Sequence, residues 1–172
     1  VLTNINNTSG SYEFIRVCEE KGIQPVLGIE FRRDHRFLYL GIAKNREGFR
    51  ELNAFLTKHS IDGIALPDIA PVFQHAFIIY RGLPKPIDQF LENEYVGIRP
   101  EELNGLYKSA MKKRQDKMVV FAPVVFLDEA GFRVHRLLRC VDLNIIMSKL
   151  TVDDHARSFA HFRAPGEIEN HF

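Results

Sequence analysis

The first 31 residues, VLTNINNTSG SYEFIRVCEE KGIQPVLGIE F, constrain the fold of this chain more than any other stretch. An apolar lead, Val1 and Leu2, runs into a polar turn built from Asn4, Asn6, Asn7, Thr8, Ser9 and Gly10. An amphipathic segment follows with Phe14, Ile15 and Cys18 on one side, and Gly22, lacking a Cβ, can take the left-handed conformation that closes a helix. Residues 23–31 are then apolar with a single carboxylate, Glu30, near the far end. The pattern is strand, helix, strand. About thirty residues is the length of a right-handed crossover, which makes the two strands parallel and brings their C-terminal ends to one edge. Loops at that edge hold the ligand in open α/β sheets and barrels, so the turn at residues 4–10 and Glu30 are expected to face one another.

The rest of the chain extends the alternation. Arg32, Arg33, Asp34, His35 and Arg36 make a charged turn, and residues 37–43 (FLYLGIA) read as a third buried strand. Asn45 stands where its side chain can accept from first-turn amides, and Phe49, Leu52, Phe55 and Leu56 recur behind it at helical spacing. Gly63, Pro67 and Pro71 mark a loop or short strand before residues 73–80 (FQHAFIIY) return as a strand, after which Pro84 and Pro86 break the chain. A short helix is expected at 86–91 and a short strand at 95–98 (YVGI). Pro100 pre-sets the next helix, with Leu103, Leu106, Tyr107, Ala110 and Met111 in one stripe. Lys112, Lys113, Arg114 and Lys117 lie near its end, where cations complement the helix dipole; a DNA-contact patch is the other reading of the same charges. Residues 118–121 (MVVF) read as a strand, and 129–141 as a helix with Ala130, Val134, Leu137, Leu138 and Val141 inward. Beyond it, aromatics and histidines follow without sustained periodicity up to Pro165 and Gly166, which mark a turn and a new helix start.

Strands alternating with helices, with neither G-x-G-x-x-G nor G-x-x-x-x-G-K-[ST], give an α/β layered or barrel fold without a nucleotide-phosphate loop. At 172 residues, 45% hydrophobic and 26% charged, the chain can bury a sizeable core and is most simply one domain. It opens without Met, already inside a strand pattern, and stops in the first turn of a helix, so it reads as a piece of something longer. A net charge of +1 favours neither a nucleic acid nor an acidic partner. Cys18 and Cys140 sit on apolar helix faces as small hydrophobes rather than as a disulfide or metal site. No signal peptide is visible and no apolar run approaches the roughly twenty residues of a membrane span, so a cytoplasmic location is expected.

Three blocks carry a resemblance: the opening stretch, residues 41–60 (GIAKNREGFRELNAFLTKHS) and residues 118–141 (MVVFAPVVFLDEAGFRVHRLLRCV). In order and spacing they resemble the polymerase and histidinol phosphatase (PHP) domain at the front of the bacterial DNA polymerase III alpha subunit. The segment AKN-x-x-GF-x-x-LN (residues 43–53) is similar to the polymerase branch of that family rather than to free-standing phosphoesterases. The tail FRAPGEIENHF resembles the stretch leading into the polymerase proper. The resemblance implies a distorted (β/α)7 PHP-type barrel over residues 1–160, with 161–172 starting the linker helix toward the polymerase module. It also implies a metal cluster at the strand C-terminal edge, and a first strand with a His-x-His motif lying before residue 1.

The departures from the family's pattern decide what to expect. A cluster of two or three divalent ions needs many carboxylate or imidazole donors converging on one cavity. Where the family writes Thr-Asp-His, this chain has Thr3, Asn4 and Ile5. Leu38 stands where a His leads into the strand before Ala-Lys-Asn, Gly97 stands for the Glu of a Tyr-Leu-Glu strand, and Pro123, Val124 and Val125 occupy the late Asp-x-His motif. Only Glu30 survives, expected as a hydrogen-bonded relic meeting backbone amides or Asn4. Even two histidines restored from the missing strand leave too few donors, so the barrel is expected to hold no metal, its apolar substitutions at Ile5, Leu38 and Val125 filling the former cavity.

The function this implies is a non-catalytic support domain of a replicative polymerase, bracing the polymerase module of the same chain and offering a docking surface for a proofreading exonuclease subunit. DNA is met only indirectly and no membrane is involved. The parent chain would be a DNA-directed DNA polymerase, a nucleotidyltransferase with Mg in its polymerase module. The alternative is an active metal-dependent phosphoesterase or 3'-5' proofreading exonuclease, with Mn or Zn in a rebuilt site; a free-standing binding protein is a third. Asp153, Asp154, His155 and His161 have ligand types but are expected to face solvent, Asp34 and His35 to form a tight turn, and His135 to pack or cap.

Overall fold

The computed structural model describes residues 1–106, 110–152 and 154–169. Its opening is the expected crossover: β1 (Leu2–Ile5), α1 (Ser11–Glu20) and β2 (Leu27–Arg33), with β1 and β2 parallel from Leu2 opposite Leu27 to Ile5 opposite Glu30. Gly22, at φ 67°, ends α1 in a Schellman arrangement, Ile23 N–H reaching the Cys18 carbonyl at 2.8 Å and Gly22 N–H that of Glu19 at 3.1 Å.

Two residues, Asp34 (φ 55°) and His35, separate β2 from β3 (Arg36–Ala43), and a connection that short can only return the chain antiparallel. α2 (Arg46–Asp62) begins as the sequence implies, with Asn45 Oδ1 accepting the Gly48 N–H at 3.1 Å, and ends at Gly63, φ 62°. β4 (Ala76–Tyr80) pairs antiparallel with β3, and β5 (Glu94–Ile98) parallel with β4 across a 3₁₀ turn at Ile87–Gln89. A 3₁₀ turn at Pro100–Glu102, α3 (Leu103–Leu106), 3₁₀ turns at Ala110–Lys113 and Gln115–Lys117, and β6 (Met118–Val120) follow. The six-stranded sheet runs in the order β1-β2-β3-β4-β5-β6, with β1 and β6 ending it, so it is open among the described residues. The class is mixed α/β, and the middle of the sheet is antiparallel.

The long helix expected from Pro100 is replaced by α3 and separate 3₁₀ turns. Gly105 weakens the run by about 1 kcal/mol against Ala, and Arg114, at φ −127° and ψ 49°, leaves the helical region altogether. Tyr107 lies outside the described residues. α4 (Glu129–Leu143) is capped by Asp128, whose Oδ1 accepts the Gly131 N–H at 2.8 Å; a 3₁₀ turn at Met147–Lys149 and α5 (Pro165–Glu169) complete the chain. The stripe of α4 expected to point inward does not: Val134, Leu137, Leu138 and Val141 are exposed, Val141 at 78%, while Cys140 is buried. Helical spacing shows that a face is apolar and says nothing of what covers it.

The chain divides into two compact units, Val1–Ile98 with Asn104–Val119, and Arg99–Leu103 with Val120–Phe172. In the first, α2 lies on β2, β3 and β4. Phe31 opposite Tyr39 and Tyr39 opposite Tyr80 form one row, with ring centroids at 5.1 and 5.9 Å, and Phe55 of α2 meets Phe31 at 5.5 Å. Close approach is possible because two positions have no side chain: a Cβ on Gly41 would stand 2.5 Å from Leu52 Cδ2, and one on Gly48 would stand 1.9 Å from the His75 carbonyl oxygen. That carbonyl also takes the Lys44 N–H at 2.9 Å, so it has no room to retreat.

Gly48→Ala is therefore expected to destabilise the fold by about 1–3 kcal/mol, read as a lower urea midpoint at unchanged slope. The Tyr39 hydroxyl is fully buried with no hydrogen-bond partner among the described residues, and burial pushes its pKa up. Removing it by Tyr39→Phe is expected to raise stability by about 1 kcal/mol, checked in the same assay.

Candidate functional site

β1, β2, β4 and β5 run one way and β3 the other, so Ile5, the end of β2, the start of β3, Tyr80 and Gly97 share one edge of the sheet. The loop at 4–10 is folded onto this edge by its own amides. Asn6, at φ 48°, donates Nδ2 to the Arg32 carbonyl at 2.7 Å and accepts the Arg32 N–H at 2.9 Å, while its own N–H meets the Glu30 carbonyl at 3.0 Å. Asn7 Nδ2 donates to the Ile5 carbonyl at 2.8 Å, and its Oδ1 accepts from Ser9 N–H at 3.0 Å and Ser9 Oγ at 2.7 Å. Asn4 Nδ2 donates to the Ser9 carbonyl. These bonds replace the water that so polar a loop would otherwise bind.

Loop and Glu30 do meet, since Ile5 is the register partner of Glu30. The Glu30 carboxylate, however, is held by Arg32 Nε, two residues on along the same strand face, instead of by Asn4 or backbone amides. Leu38 is the extra residue of a β-bulge: Phe31 faces Tyr39 and Arg32 faces Phe37, leaving Leu38 unopposed and buried. Gly97 is buried on β5, its carbonyl taking Arg81 Nη1 at 2.7 Å. Ile5 is 48% exposed, so the expected filling of a cavity fails at Ile5.

Pro123 and Val125 belong to the second unit, where the Val125 N–H reaches the Ala160 carbonyl at 2.8 Å and the side chain is 50% exposed. As a donor set these residues do not suit a multinuclear centre. Ile5, Leu38, Gly97, Pro123 and Val125 bring no side-chain donor, and the one carboxylate already has a cation. Among the described residues no three of His, Cys, Asp and Glu are grouped so as to hold a metal ion.

A buried charged cluster was not anticipated. Glu94, 2% exposed, receives Lys85 Nζ at 2.8 and 2.6 Å on its two oxygens, Leu91 N–H at 2.7 Å and the Tyr80 hydroxyl at 3.1 Å. Tyr80 in turn accepts the Ala70 N–H at 3.1 Å; burial first and the Glu94 charge second push the phenol pKa up. Nearby, Lys117 is buried and donates to the Leu91 and Glu92 carbonyls at 2.6 and 3.1 Å. Arg114 pairs with Asp116 and Asp88. Neither serves a helix C-terminus, so the expected role of this basic stretch is corrected: two of its four cations tie loops together. The signal available in sequence was a carboxylate opening an apolar strand, which on its own reads as a solvated strand end.

In the second unit His135 packs, as expected, on Phe126 with centroids 5.8 Å apart, and its Nε2 accepts the Ala156 N–H at 3.0 Å. Burial first, then His155 and Arg139, lower its pKa. Asp154, His155 and His161 are half-buried rather than free in solvent, because each is bonded locally: Asp154 to Thr151, His155 to the Ala156 carbonyl and His161 to the Ser158 carbonyl. Asp153 lies outside the described residues.

No family model matches the chain. Over 50 residues, 27% of its length, it is 38% identical to the DNA polymerase III subunit alpha of Streptococcus pyogenes, and equally to that of Streptococcus pyogenes serotype M1. The chain spans 5% of the length of each of these relatives. The similarity relates it to DNA polymerase III alpha over that stretch. No helix among the described residues is long and apolar enough to cross a membrane.

Truncating Glu94 leaves the Lys85 ammonium half-enclosed and unpaired. Glu94→Ala is expected to cost about 3–5 kcal/mol in chemical unfolding, and Glu94→Ala with Lys85→Met together less than the sum of the singles.

Proposed function

We propose that this chain is a PHP-type domain of a replicative DNA polymerase III alpha subunit that has given up its metal site and works as a support. In this reading the six-stranded sheet is the larger part of a distorted (β/α)7 barrel whose first strand precedes residue 1. The domain braces the polymerase module of the same cytoplasmic chain, offers a docking surface to a proofreading exonuclease subunit, and carries no hydrolytic activity or cofactor of its own. The observation that carries the proposal is the pairing of the Glu30 carboxylate with Arg32, beside Asn4 and Ile5 where the family's pattern has a carboxylate and an imidazole. A divalent ion there would have to displace a guanidinium and would still lack partners. The 50-residue similarity to DNA polymerase III alpha supports the replication setting.

Titration with Mn²⁺ and Zn²⁺, followed by heat of binding and by metal retained after dialysis, tests the site. The expected result is a folded chain with no stoichiometric retention; two or three retained ions would overturn the degenerate-site reading. The coding region tests the setting separately: a frame that continues past residue 172 into polymerase sequence is expected, and a stop codon there would sink it.

A further inference from the structure

Ala156 is gripped at both ends by imidazoles. Its N–H is accepted by His135 Nε2 at 3.0 Å, and its carbonyl lies 2.7 Å from His155 Nδ1. The two bonds make opposite demands. A carbonyl only accepts, so His155 must present an N–H, which it can do protonated or neutral; His135 must present a lone pair, which exists only in the neutral ring. We infer that His135 is a proton-operated latch: neutral, it holds the 154–158 segment on α4 through the Ala156 N–H, and protonated, it turns an N–H against that N–H and lets the segment go.

The surroundings set the direction of the response. Arg139, one turn along α4, gives Nε to the Asp154 carbonyl at 2.6 Å and faces His135 with a fixed positive charge. His155 faces it from the loop. Among the described residues the neighbouring carboxylates are engaged elsewhere: Asp154 accepts Thr151 N–H at 2.8 Å and Thr151 Oγ1 at 2.7 Å, and Asp142 is bound by Arg139. Arg136 lies over Phe132, 5.8 Å from the ring centre, adding to the cationic side. Folding thus favours neutral His135. The latch contributes its full stabilisation above the ordinary imidazole value of about 6.5, and loses it as pH falls through the lower folded value.

Release is confined to the middle of the loop. At the far end the Ala160 carbonyl takes the N–H groups of Val125 and Phe126 at 2.8 and 3.3 Å, and neither bond involves a group that titrates. Of the aromatic contacts of the imidazoles, only that of His155 with Phe132, at 5.6 Å, joins the segment to α4; His135 on Phe126 stays within the part that does not move.

Amide hydrogen exchange on the 172-residue chain, read residue by residue by NMR and corrected for the intrinsic pH dependence, tests this. Between about pH 7.5 and about pH 4.5 the protection of Ala156 is expected to fall by about tenfold or more, in step with the His135 ring resonances, while Val125 and Phe126 stay protected. His135→Gln keeps an acceptor that does not titrate and is expected to abolish the step. His155→Gln removes one of the opposing charges and is expected to move the step to higher pH. Constant Ala156 protection through the His135 titration would overturn the proposal, as would a step that survives in His135→Gln or does not shift in His155→Gln. Should His135→Gln not fold, the wild-type titration and His155→Gln decide alone.

Discussion

The first unit depends on one row of rings packed across three strands. Phe31 on β2, Tyr39 on β3 and Tyr80 on β4 are direct cross-strand partners, continued by Phe55 of α2 on one side and Phe90, 5.6 Å from Tyr80, on the other. Because side chains alternate along a strand, a register slip of one residue would turn the row away from α2 and leave Glu30, Leu40 and Ile79 in its place. The two-residue turn at Asp34 and His35 sets that register. The bulge at Leu38 absorbs the mismatch between the turn and the ring pairing, and it does so just outside the last pair of β3 with β4, Tyr39 with Tyr80. Gly41 and Gly48 then let α2 settle within reach of the row.

What the rings do for the interior, polar groups do for the edge by satisfying one another. Asn6 and Arg32 exchange backbone and side-chain bonds, Asn4 and Asn7 close their own loop, and Glu30 is neutralised by Arg32. An edge organised this way holds a loop firmly and offers an incoming cation little that is free. Glu94 shows the same economy deeper down, with three donors on a carboxylate that has almost no water. These are arrangements that keep a framework rigid.

The readable features of the fold were the local ones. Gly22 as a helix stop, Asn45 as a cap and the parallel β1-α1-β2 crossover follow from conformational preference, hydrogen-bond reach and connection length, none of which needs a distant partner. At the edge, the absence of a carboxylate and an imidazole at Asn4 and Ile5 was equally legible, because it is a property of the residues themselves. The partner of Glu30 was not, since Arg32 and Asn4 are both within a strand's width and only the pleat decides between them.

Misreadings arose where a residue's role depends on what packs against it. The stripe on α4 has the spacing of a core helix and is exposed. Lys117 has the composition of a solvated helix end and is buried under two carbonyls. The run after Pro100 has helical periodicity, yet local turns take over. By itself, then, the sequence determined the strand-helix alternation and the caps and turns, all set within a few residues of chain. Tertiary structure alone decided the Glu94 cluster and the pairing of His135 with Ala156, because each depends on residues apart in sequence meeting away from water.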